Sequence, residues 1–286
     1  MKKLKTILSI AASDPTGGAG IQADVKAAGA TGVHCMTAVT AVTVQNSSGM
    51  KEIFCLPKGA IKAQVEAVLD DVKPDAVKVG MIGSPENGME LMECLELLGE
   101  ETTVVVDPVL KASAGGLGTK QEELDPLVDF YRVLFKGYKV IPVPNFFEAK
   151  LILGESPDSI IDCASDLLER FCLESVIVTG GDFLSTTGTK PSYGEESLLD
   201  ALAFKEDGEI RVTTCTSRYV ETPNLHGTGC VFSSILASRL ALGSPIDKAF
   251  SDAVQLTQGI IESSTGYNFG KSTYGPLNIL GSNLCE

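Results

Sequence analysis

The stretch Thr6–Val44, TILSIAASDPTGGAGIQADVKAAGATGVHCMTAVTAVTV, holds a complete structural unit. Its apolar run, TILSIAA, is stopped by the turn residues Asp14-Pro15-Thr16-Gly17-Gly18. An alanine-rich helical segment, IQADVKAAG, follows, and VHCMTAVTAVTV reads as strand again. Strand, glycine loop, helix and strand in that order make a βαβ unit, which lays its two strands parallel.

The pattern continues outward. KEIFCLP, DAVKVGM, TTVVVDP, YKVIPV and SVIVTGG read as strands. Between them AIKAQVEAVLDDV, ENGMELMECLELLG, LDPLVDFYRVLF, NFFEAKLILG and SIIDCASDLLERF read as helices. Short β-rich runs then precede two last helices, beginning at Cys230 and Ile246. This implies an α/β chain with a central, mainly parallel sheet covered by helices on both faces. Neither a linker nor a repeat interrupts it, so one domain over residues 1–286 is expected.

Composition narrows the function. The net charge of −14 argues against nucleic acid or an anionic membrane as partner. No run approaches the roughly 20 apolar residues of a membrane span. The start, MKKLKTILSIAASD, imitates a signal peptide, but Ile7–Ala12 is too short and runs into the glycine loop, so it reads as a first strand. Eight cysteines without a CxxC pair read as reduced thiols of a cytoplasmic protein, and two histidines make a His-based metal site improbable.

Ligands of such folds gather at the carboxyl ends of the strands. Seven loops there are rich in glycine or polar residues: SDPTGGAG, VQNSSG, GMIGSP, DPVLKASAGGLG, VPNFFEA, TGGD and HGTGC. Gly227-Thr228-Gly229-Cys230 opens a helix, so its amides could hold an anion and its thiol could be acidified there. The same four residues also fit a plain glycine turn with a space-filling cysteine. Asn145 and Glu148 form the spacing of a capping box, the favoured reading of that tetrapeptide, although Glu148 could hold magnesium through water. Asp24, read in the first turn of its helix, could serve the helix dipole or a polar ligand. His34 and His226 read as ordinary packed histidines. GYNFGKS is one residue short of a phosphate loop and follows a helix, while GTGCVF lacks the third glycine of a dinucleotide fingerprint.

In chain order, SDPTGGAGIQAD, TAVTVQNSSG, VKVGMIG, VVVDPVL, PNFFEA, TGGD and HGTGC resemble the hydroxymethylpyrimidine and phosphomethylpyrimidine kinases of the ribokinase-like superfamily. The resemblance implies an ATP- and Mg2+-dependent phosphotransferase acting on a small pyrimidine or pyridine alcohol, as a homodimer. It implies that Asp24, Gln45, Met81 and Val109 line the substrate pocket. Asn145 and Glu148 match the magnesium–phosphate motif, and Thr179, Gly181 and Thr228 fall in the ATP region. Gly227, Gly229 and Cys230 match the anion hole, with Cys230 where related sugar kinases carry an aspartate base. The loop 110–120 is the expected flap.

Some residues depart from the family pattern. Ser113 and Thr179 stand where lysines are usual, and Val143 replaces a threonine before Pro144-Asn145. The first two losses weigh on phosphorylation of an already phosphorylated pyrimidine. Pyridoxal kinase is the nearest alternative, and Gln45, whose amide can pair with an aminopyrimidine edge, favours the pyrimidine. A nucleotide-binding regulator without activity is a third, against which Cys230 and Glu148 count.

Overall fold

As a computed structural model, the protein is described at residues 3–110, 121–181, 197–271 and 274–281. The flap expected over 110–120, with Lys111 and Ser113, lies outside these residues apart from Leu110. The opening unit forms as read: β1 (Thr6–Ser13), α1 (Gly20–Ala30) and β2 (His34–Asn46), with β1 and β2 parallel. β3 (Gly49–Cys55) turns back antiparallel on β2. Then come α2 (Ala60–Leu69), β4 (Ala76–Val79), α3 (Pro85–Leu98), β5 (Thr103–Val106) and α4 (Gln121–Gly137). β6 is short, Ile141–Pro142, and its ladder to β5 closes with Val143 N–H donating to Val106 O at 2.7 Å.

These strands form one sheet in the order β3-β2-β1-β4-β5-β6. After α5 (Phe146–Leu153) and α6 (Ile160–Arg170), β7 (Ser175–Val178) pairs with β8 (Ser197–Glu206), and β8 with β9 (Glu209–Arg218), both antiparallel. A parallel bridge between Asn145 and Thr179 fastens this second sheet beside β6. There Phe146 N–H donates to Thr179 O and Thr179 N–H to Pro144 O, each at 3.0 Å. The last helices are α7 (Thr228–Ala241) and α8 (Ile246–Ser263).

Side chains alternate across the sheet, as a strand's two-residue period requires. Leu8, Ile10, Val77, Val79, Val104 and Val106 face a core built with α2 to α6, and Val176, Val178, Ala201 and Ala203 extend it. Ile7, Ala76, Val105, Ile177 and Leu202 face a second core with α1, α7 and α8. The expected two-sided layering is therefore present. No helix among the described residues is long and apolar enough to cross a membrane.

The strand order reverses between β1 and β4. The carboxyl ends of these two strands form the switch point at which α/β sheets bind ligands. The loops after β1, β4, β5, β6 and β7 and the start of α7 all border this edge.

Candidate active site

α7 begins two residues earlier than its sequence suggests, at Thr228, because Gly227 is its left-handed N-cap at φ 87°. Glycine is required there: a Cβ at Gly227 would lie 1.9 Å from the Gly18 carbonyl oxygen. Thr228 turns inward, its hydroxyl donating to Leu225 O at 2.7 Å and its amide at 3.2 Å. Thr228 was expected to meet ATP, but both donors are spent on this turn. The amides of Gly229 and Cys230 have no acceptor among the described residues, as the first turn of a helix leaves them. They are the open donors of the expected anion hole.

Of the two forms open to Cys230, the acidified one is disfavoured. Burial raises the thiol pKa to about 12; the Lys78 cation opposes, the Asp24 and Asp107 carboxylates reinforce, and the Gly20 amide lowers it. At neutral pH the group is a thiol, since desolvation outweighs the helix end.

Asp107 follows β5 directly. Ser233 on α7 donates to its Oδ2 at 3.2 Å, and the carboxylate stands 3.7 Å from where a Cβ on Gly229 would be. Beside it, Glu148 closes a complete capping box. Its Oε2 accepts from Asn145 N–H at 3.0 Å, and Asn145 Oδ1 accepts from Glu148 N–H at 2.8 Å. Oε1 accepts from Leu110 N–H at 3.2 Å. The cap reading of Asn145 and Glu148 therefore holds.

Four positions sort the substrate-side expectations. Asp24 is corrected: it lies five residues into α1, not in the first turn, and is fully buried. Its carboxylate accepts from Lys78 Nζ at 3.0 and 3.2 Å and from Ser9 and Ser234 hydroxyls, leaving no surface for a ligand. Met81 and Val109 are half-buried after the ends of β4 and β5, and Met81 O accepts from Thr40 Oγ at 2.7 Å. Gln45 is half-buried on β2, and its side chain makes no hydrogen bond among the described residues. Ser48 N–H bonds Asn46 instead, so Gln45 does not serve its own turn.

Thr179 is tied by its backbone to Pro144 and Phe146, and Gly180 N–H donates to Asp200 Oδ1 at 2.8 Å, while Gly181 is exposed. Lys78, Asp107 and Asp200 are not singled out by the sequence motifs. A lone lysine within the apolar run VKVG was the available signal for the first.

The profile of the phosphomethylpyrimidine kinase family matches residues 14–278. The chain belongs to that family. It is 34% identical over 288 residues to the hydroxymethylpyrimidine/phosphomethylpyrimidine kinase of Haemophilus influenzae, covering 97% of each. It is 32% identical over 277 residues to the thiamine biosynthesis multifunctional protein of Corynebacterium efficiens, covering 95% of this chain but 34% of that protein's length. The fold is similar to the pyridoxal kinase of Staphylococcus aureus in complex with AMP-PCP, with a TM-score of 0.78, 26% identity and coverage of 98% and 95%. It is also similar to the phosphomethylpyrimidine kinase of Clostridium difficile, with a TM-score of 0.67, 32% identity and coverage of 88% and 96%. As a member of this family the chain is a kinase of the ribokinase-like fold.

Proposed function

We propose that this chain, as one domain, transfers phosphate from ATP to the hydroxymethyl group of 4-amino-5-hydroxymethyl-2-methylpyrimidine, and then to the resulting monophosphate. Gln45 carries the pyrimidine assignment. Its uncommitted amide, on the same strand face as Thr43, offers a donor and an acceptor side by side, the complement of a ring nitrogen next to an amino group.

The amides of Gly229 and Cys230 hold charge that develops on the transferred group. Cys230, as a thiol, orients the hydroxymethyl oxygen. Phosphoryl transfer through a loose transition state needs alignment more than a strong base, so a neutral thiol suffices. Thr179 and Gly181 border the nucleotide through their loop.

Asp107 and Glu148 fit a hydrated magnesium ion. The Tyr131 hydroxyl is buried without a hydrogen-bond partner, and after burial the two carboxylates are what push its pKa up. Two hard carboxylates near one orphaned polar atom suit a cation that keeps most of its waters. Among the described residues no group of three or more His, Cys, Asp or Glu gathers to bind metal, so Asp107 and Glu148 would hold the ion only with water and phosphate oxygens as further ligands. When bound, the ion neutralises those phosphate oxygens.

The homodimer and the cytoplasmic location belong to the same proposal. Val42, Val44 and Phe54 form an exposed apolar stripe on the β2–β3 edge, suited to a second copy. The seven described cysteines are all unpaired, as a reducing compartment leaves them.

The similarity to S. aureus pyridoxal kinase favours a second reading, a pyridoxal kinase. Steady-state kinetics with the pyrimidine, its phosphate and pyridoxal separate the two, using the parent and Gln45→Leu. The pyrimidine is expected to be preferred, and the variant to lose about ten- to a hundredfold in its kcat/KM, equivalent to roughly 1–3 kcal/mol for polar groups left unpaired. Pyridoxal is expected to change little. A parent enzyme that prefers pyridoxal establishes the second reading instead.

A further inference from the structure

The loop after β1 and the turn before α7 are far apart in sequence and pressed together in space. Asp14, 1% exposed, already accepts locally from Thr16 N–H, Thr16 Oγ, Gly18 N–H and Ala19 N–H. These bonds satisfy the loop for its own sake. A further contact reaches across: His226 Nε2 lies 2.9 Å from Asp14 Oδ2. The carboxylate can only accept, so Nε2 carries the hydrogen, while Nδ1 is buried without a partner.

His226 is held from behind. Its amide donates to Gly275 O at 3.1 Å, it bridges to Pro276, and its ring lies 5.8 Å from that of Tyr274. In front, the backbones interlock. A Cβ on Gly18 would lie 2.6 Å from His226 Cδ2, and the Gly18 carbonyl fills the place where Gly227 would carry one.

We propose that the His226–Asp14 hydrogen bond is a clasp that fixes the β1 loop against Gly227, and so sets the Gly229 and Cys230 amides and the thiol at their working positions. The proposal rests on the kinase reading of this site. His226 and Asp14 are positioning residues: they act through the turn they hold. Its contribution falls on the reaction step, because small misplacement of a reacting group costs rate more than binding.

His226→Ala is expected to lower kcat by about ten- to a hundredfold with the KM for ATP and for the pyrimidine changed less than about threefold. His226→Gln, whose side-chain amide can donate to Asp14, is expected to recover most of that loss. Gly18→Ala, which drives a methyl into the ring, is expected to behave like His226→Ala. Near-parental kcat in His226→Ala, or equal loss in the alanine and glutamine variants, overturns the clasp.

The ring itself gives a second readout on the free protein, and the chain has two histidines to assign. Long-range nitrogen–proton NMR spectra are expected to place the hydrogen of one histidine on Nε2, with that signal displaced in Asp14→Asn. A His226 hydrogen on Nδ1 overturns the clasp, even if the alanine variant fails to fold. A parent enzyme inactive on every alcohol defeats the kinase reading separately, since this spectrum needs no turnover.

Discussion

At Cys230 two influences compete for one proton. The helix start and Lys78 favour the thiolate, whereas burial and the carboxylates of Asp24 and Asp107 favour the thiol, whose pKa lies at about 12. The sequence motif displays the helix start but not the desolvation, so it leaves an acidified thiol and a neutral one both open. A neutral thiol predicts a particular mutational pattern. Cys230→Ser, which keeps a neutral hydrogen-bonding group, is expected to retain more activity than Cys230→Ala, which loses about two powers of ten in kcat. Alkylation of the Cys230 peptide, followed by mass spectrometry, is expected to accelerate steadily with pH, with no plateau below about pH 10. A plateau near neutral pH, with the serine variant as inactive as the alanine one, would make Cys230 a thiolate base instead.

β8 shows what an element conceals until it is packed. Its sequence, SLLDALAFKE, was legible only as β-rich, because Asp200 interrupts the apolar run. In the fold Asp200 is buried and accepts from Gly180 N–H, so an acid inside a strand anchors the loop carrying Gly180 and Gly181. Burial raises its pKa to about 6, with the Gly180 hydrogen bond opposing. The folded chain thus binds this proton more tightly than the unfolded one. Asp200 costs stability at neutral pH, and the cost disappears as pH falls through about 6 towards the unfolded value near 4. Asp200→Asn, which keeps an acceptor for Gly180, is expected to be more stable than the parent at pH 7.5 by about 1–3 kcal/mol, with the gain shrinking to roughly a third of that near pH 4.5. Paired thermal melts at the two pH values check this, and a lower Tm for the variant at pH 7.5 refutes it. The other elements were readable because two-residue and helical periods alternate cleanly. The differences fall at ends, where Gly227 starts α7 early and β6 keeps only Ile141–Pro142.

For the molecule as a whole, the loops that carry the site could be read in order, but their partnerships could not. His226 and Asp14 are 212 residues apart, and nothing in either loop names the other. The same is true of Lys78, fully buried on β4 against Asp24 of α1, with Ser9 of β1 and Ser234 of α7 completing the network. Burial works against the Lys78 charge, yet Asp24, then Cys230 and Asp107, raise its pKa overall. Lys78→Met leaves a buried carboxylate without its cation and is expected to cost about 3–5 kcal/mol in urea unfolding. Replacing both members, Lys78→Met with Asp24→Leu, is expected to recover part of that loss. A single variant within about 1 kcal/mol of the parent would mean that the pair contributes little, as exposed pairs do.

The bridge between Asn145 and Thr179 joins the two sheets at the rim of the site, through the amides of Phe146 and Thr179. Local opening of that seam and disturbance of the proposed nucleotide edge would therefore be a single event. These two amides should exchange with deuterium at a common rate, faster than the interior of the β1–β4 ladder, and bound nucleotide should slow both together.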